Sequence, residues 1–122
     1  MTMRQTNEEL KMVKEYIELP YLLDVIEVDK KKIHNSDLII KNVLIRYLNS
    51  LQEQTNRTIF NLKQALRKRD IKIIEQNKFD DRLVITYSCR GYQHSMTLLW
   101  SKVKVDVLLL LGDYMKLDIT NP

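Results

Sequence analysis

Two glycines and two prolines in 122 residues leave this chain little with which to build irregular backbone. Glycine enters positive φ at no steric cost, and turns draw on it and on the fixed φ of proline. Loops must therefore be few and short, and most residues must sit in regular elements. Gly91 and Gly112 stand far apart, so no P-loop or dinucleotide fingerprint can form from successive glycine amides.

The apolar spacing says which elements these are. Thr6 or Asn7, followed by Glu9, reads as the N-cap of a helix over 7–18. Leu19 precedes Pro20, and a residue before proline avoids the α region. A break is expected there, with a second helix from Pro20 to about Lys32 closed by the cations of Asp29-Lys30-Lys31-Lys32. Ser36 then reads as the N-cap of the strongest helix. Ile40, Leu44, Tyr47, Leu51, Thr55, Ile59, Leu62 and Leu66 recur at steps of three and four, which predicts one helix over about 36–69. Such a helix spans roughly 50 Å at the α-helical rise. That is longer than a domain of this size covers alone, so a homodimer is expected.

The period changes to two after Asp70. Ile71 and Ile73 alternate with Lys72, and Leu83, Ile85, Tyr87 and Cys89 alternate with polar or smaller residues, predicting an antiparallel β-hairpin over about 71–90. Beyond Gly91 two phases compete. Met96, Leu99, Trp100, Val103, Val107, Leu110, Leu111 and Tyr114 fit one helical stripe, whereas Val103, Val105 and Val107 fit a strand. The helical phase accounts for more residues and predicts a C-terminal helix over about 94–117. The expected fold is mainly α, of the α+β class. It is a helical bundle with one hairpin, forming a single domain over 1–122.

Composition bounds the setting. With 44% hydrophobic and 30% charged residues the chain reads as globular, and its polar N-terminus lacks a signal-peptide core. Val107 to Leu111 is the longest apolar run, far too short for a membrane span. No membrane contact and a cytoplasmic location follow as expectations, and the lone Cys89 agrees with a reducing compartment. The net charge of +4 is unevenly placed. Residues 1–30 carry seven acids against four bases, and the remainder sixteen bases against nine acids.

Few residues suggest chemistry. Cys89 and His94 are the one thiol–imidazole pair close in sequence, but no third group stands in place to orient them. A strand cysteine on an apolar face is ordinarily a small hydrophobe. Two histidines sixty residues apart give no zinc spacing, and Asp80-Asp81 reads as a turn former. No catalytic residue, metal or cofactor is expected. The basic cluster Lys63, Arg67, Lys68, Arg69 and Lys72 is opposed only by Asp70, which suits phosphate contact. Helix-end cations are also favoured by the dipole alone, and lysines on an edge strand discourage aggregation. Arg90-Gly91-Tyr92 presents an arginine and a tyrosine around a glycine suited to positive φ, a candidate partner-binding pair. The aliphatic run 107–111 is apolar all round a helix and calls for a core or a subunit interface. Together these features suggest a small non-enzymatic protein that acts through protein–protein binding, dimeric and cytoplasmic. The alternative is nucleic-acid binding through the basic cluster.

Overall fold

Thr6 starts the first helix with a capping box. Its hydroxyl accepts from the Glu9 amide at 3.1 Å, and the Glu9 carboxylate accepts from the Thr6 amide at 2.9 Å. From this cap, in a computed structural model that describes residues 5–116, α1 runs unbroken over Asn7–His34. The expected break at Pro20 does not occur. Leu19 and Leu22 on either side are wholly buried while the proline itself is exposed. Packing of the flanking leucines therefore overrides the local penalty, and the ring projects into solvent.

Ser36 closes this helix rather than opening the next. Its hydroxyl donates to the Ile33 carbonyl at 2.6 Å and accepts from the Leu38 amide at 3.3 Å. The second helix, α2, occupies Lys41–Lys68, shorter than the expected 36–69, and has no side-chain cap. It remains continuous through Gln54–Asn56. Thr55 at its middle is fully buried, its hydroxyl donating to the Leu51 carbonyl at 2.7 Å. The two helices are equal in length, 28 residues each. They form an antiparallel pair: Gln52 bonds Glu27 and Lys30 near one end, and Arg69 meets Glu8 and Glu9 near the other. The unbroken α1 packs along α2 and buries Leu51, Thr55 and Leu66 of its stripe, while Ile40 and Tyr47 toward the N-terminal end stay 58% and 40% exposed.

The sheet has three antiparallel strands in the order β1 (Ile71–Lys78), β2 (Arg82–Cys89), β3 (Tyr92–Leu99). The predicted hairpin is its first two strands. Leu83, Ile85, Tyr87 and Cys89 alternate inward on β2 and are completely buried, joining Val13, Ile17 and Leu22 of α1 in one core. A bulge between Ile73 and Glu75 shifts the pairing of β1. Arg90 and Gly91 form the two-residue turn into β3, with φ of 50° and 87°. This is the double positive-φ geometry that matches strand twist. Residues 94–99, expected to begin the C-terminal helix, instead join Tyr92 and Gln93 in β3 and pair with the whole of β2. The last helix, α3, occupies Trp100–Met115, and its expected end at 117 lies outside the described residues. Trp100 follows β3 without a loop. Its amide donates to the Asp81 carbonyl at 3.1 Å and its indole to the Phe79 carbonyl at 2.7 Å. The α+β class thus holds, with three helices and a three-stranded antiparallel sheet. No described helix is long and apolar enough to cross a membrane.

Candidate functional site

The residues singled out in the sequence divide between three places. At one end of the molecule, the positive φ of Arg90 aims its guanidinium inward. It donates to both Glu9 oxygens at 2.9 Å and to the Arg69 carbonyl at 3.2 Å. Glu9 is only 2% exposed. The Arg90 hydrogen bonds, opposed by burial, lower its pKa to about 2. Arg69 turns to the same carboxylate, 3.6 Å away, and to Glu8 at 3.5 Å. Here the acidic N-terminal segment meets the basic remainder of the chain. Arg90 and Arg69 are therefore held in an internal ion-pair network, while Tyr92 beyond the turn stays exposed. Cys89 is wholly buried beside them, and burial raises its thiol pKa, so the thiolate that nucleophilic chemistry needs is disfavoured. His94 does not face Cys89 directly across the strands. Its strand partner is Tyr87, on whose ring it stacks at 5.5 Å.

Lys63, Arg67 and Lys72 are brought together elsewhere. One turn of helix separates Lys63 from Arg67, and the tight Arg69–Asp70 connection returns the chain so that Lys72 on β1 joins them. The three line a cleft of about 420 Å³ with Tyr16, Leu66, Asp70, Ile71, Ile73 and Gln76. Its floor is apolar: Leu66 and Ile71 are buried, and Tyr16 and Ile73 half-buried. Lys68 is exposed and does not line it. Among the described residues, Lys63, Arg67, Lys68 and Lys72 make no ion pair. Lys78 and Arg82 do not extend the cluster. Lys78 lies over the Tyr21 ring, and Arg82 pairs with Asp81 and covers Phe79.

The third place was not anticipated as a groove. Tyr21, Val25, Trp100, Val103, Val107 and Leu108 line an open, mainly apolar groove of about 670 Å³ between α1 and α3, rimmed by Asp24, Asp80 and Lys104. Tyr21 and Trp100 meet edge to face at its base, with ring centroids 5.5 Å apart. Beside it the aliphatic run splits. Val107 is buried, whereas Leu108 is 51% and Leu109 37% exposed.

A buried charge network between α1 and α3 also escaped the sequence. Asp106 is 8% exposed and lies 2.8 Å from Lys14 and 3.0 Å from Lys102. Glu18, 3% exposed, packs against it. Burial first, and the adjacent Asp106 second, push Glu18 up to about 8. Burial acts on Asp106 in the same direction, but hydrogen bonds from Glu18, Lys14 and Lys102 outweigh it and hold that carboxyl at about 2. At neutral pH one proton thus resides on Glu18 beside a carboxylate. Lys14 with Glu18, and Lys102 with Asp106, stand four apart in sequence. That spacing was the available signal, but only the packing of α3 on α1 reveals that the two pairs merge. No group of three or more histidines, cysteines or carboxylates among the described residues is arranged to hold a metal.

The family model described as YhjD protein matches residues 4–119 of the chain. No curated protein and no solved structure matches it.

Proposed function

The chain belongs to the YhjD protein family, and from that footing we propose that it is a non-enzymatic protein acting through protein–protein contact. Its first partner is a second copy of itself, and the contact surface is the groove between α1 and α3. One observation carries this reading. Leu108 of α3 and Val25 of α1, both lining the groove, stay 51% and 37% exposed. A helix apolar all round loses the stabilisation of burial wherever it meets water. A self-contact suits the charge pattern as well as the apolar one. Asp24 stands on the α1 wall and Lys104 on the α3 wall. A two-fold axis would set each against the other's counterpart, because in such an interface contact i–j is repeated as j–i. The buried, protonated state favoured for Cys89 supports a non-enzymatic reading, and its lack of a disulfide partner suits the cytoplasm.

Light scattering after size exclusion tests this directly. The wild-type chain is expected at twice the chain mass. Leu108→Glu, which places a charge on an already exposed position, is expected at the monomer mass with unchanged circular dichroism. A wild-type monomer at every concentration tried overturns the reading.

A further inference from the structure

The groove leaves the basic cleft unused, and the cleft has features that a merely solvated charge cluster lacks. Lys63 and Arg67 come from α2, and Lys72 from β1. The helix dipole accounts for cations in the last turn of α2, and the sheet edge for a lysine on β1. Neither accounts for Lys63, Arg67 and Lys72 converging on one cleft over an apolar floor. Elsewhere at this end of the molecule the acids are already engaged: Glu8 and Glu9 hold Arg69 and Arg90. Only Asp70 remains at the cleft, giving it a net charge of +2 from its three cations and one carboxylate. Like charges gathered without counter-ions repel, and an anion entering the cleft relieves that repulsion. Beneath them lie the Tyr16 side chain and the aliphatic surface of Leu66 and Ile71, an apolar floor of no use to a bare inorganic ion.

We propose that this cleft binds a nucleoside monophosphate, either free or as the 5′-terminal residue of a strand. The phosphate sits among Lys63, Arg67 and Lys72, with Arg67 donating in bidentate fashion. A phosphomonoester carries nearly two negative charges near neutrality, which matches the cleft, whereas a single carboxylate leaves it undercompensated. The base lies on Tyr16 and the adjacent aliphatic floor, where any nucleobase offers a flat face. Asp70 and Gln76 at the rim supply an acceptor and an amide for sugar hydroxyls and base edges. A volume of about 420 Å³ falls within the range of small-molecule sites.

Calorimetric titration tests the proposal with AMP, adenosine, inorganic phosphate, and an oligoribonucleotide with and without a 5′-phosphate. AMP is expected to bind at least about tenfold more tightly than adenosine or phosphate alone, since both halves of the cleft are engaged. Affinity is expected to fall with salt. Lys63→Ala combined with Arg67→Ala is expected to weaken AMP by about tenfold or more. Both positions are exposed, so an unchanged melting curve certifies the fold. Tyr16→Leu, which keeps an apolar floor, is expected to narrow the preference for AMP over phosphate without weakening phosphate itself. Tighter binding of AMP identifies the free nucleotide as ligand, and tighter binding of the 5′-phosphorylated strand identifies a strand end. The proposal is overturned if AMP binds no better than phosphate. Measurable binding of both strands at the same affinity with and without the 5′-phosphate, or displacement of AMP by a phosphotyrosyl peptide at lower concentration, overturns it as well.

Discussion

Glu18 is the residue whose environment departs furthest from what its type alone suggests. Its folded pKa of about 8 lies above the ordinary 4.5. Between those values the folded chain holds a proton that the unfolded chain has released. The stability tied to Glu18 is therefore complete below pH 4.5 and is lost as pH rises through 8. Glu9 and Asp106 behave oppositely. Their folded values of about 2 mean that their contributions hold above the ordinary carboxylate range and vanish as pH falls through 2. The balance places greatest stability on the mildly acidic side. Glu18→Gln keeps the shape of the protonated acid and removes its titration. We expect its Tm to match wild type within about 2 °C at pH 5 and to exceed it by about 5 °C at pH 8.5. Thermal melts across that range check this; parallel curves for the two proteins would show that Glu18 does not titrate as described.

At the scale of elements, Pro20 provides the sharpest test. Within α1 it denies the Tyr16 carbonyl its usual helical donor, and the flanking leucines must make up the deficit. Pro20→Ala restores the donor at an exposed site. It is expected to raise stability by about 1–2 kcal/mol, less than the full helix-interior penalty because alanine also frees the unfolded chain. Urea denaturation measures it, and a loss of stability would mean the proline is needed to shape α1. The same residue shows why elements were unequally legible in the sequence. α2 and β2 carry strong periods of their own, so Leu51, Leu66, Leu83 and Ile85 could be placed directly. Pro20 misled because its local effect was visible while the burial of Leu19 and Leu22 was not. Residues 94–99 misled because Met96 and Leu99 fit a helical stripe as well as they fit a strand. Only the pairing of His94, Met96 and Leu98 with Tyr87, Ile85 and Leu83 decides between the two. Of the basic cluster, the sequence supplied the charges but not their separation, since the acids that claim Arg69 lie some sixty residues away.

At the scale of the whole molecule, α1 is the common support, packed on α2, α3 and the core face of the sheet. Dimerisation, if it follows the groove, uses the α3 side and leaves the α2–β1 cleft open, so the two proposed contacts are compatible in one assembly. The direct passage from β3 into α3 has a consequence for how this family can vary in length. With no spacer between Leu99 and Trp100, strand register acts as an indexing pin for the helix. One residue inserted there would rotate α3 by about 100° relative to the strand. That turn would carry Val103 and Val107 out of the core and Asp106 away from Lys14. The same insertion at Leu38–Ile40, where the chain is exposed and bridges two helices already fastened along their length, would leave both helices in phase. Paired melting curves would read the difference. Tolerance at the strand–helix junction equal to that in the bridge would mean that α3 is not indexed in this way. The molecule thus has one joint that absorbs length changes and one that forbids them.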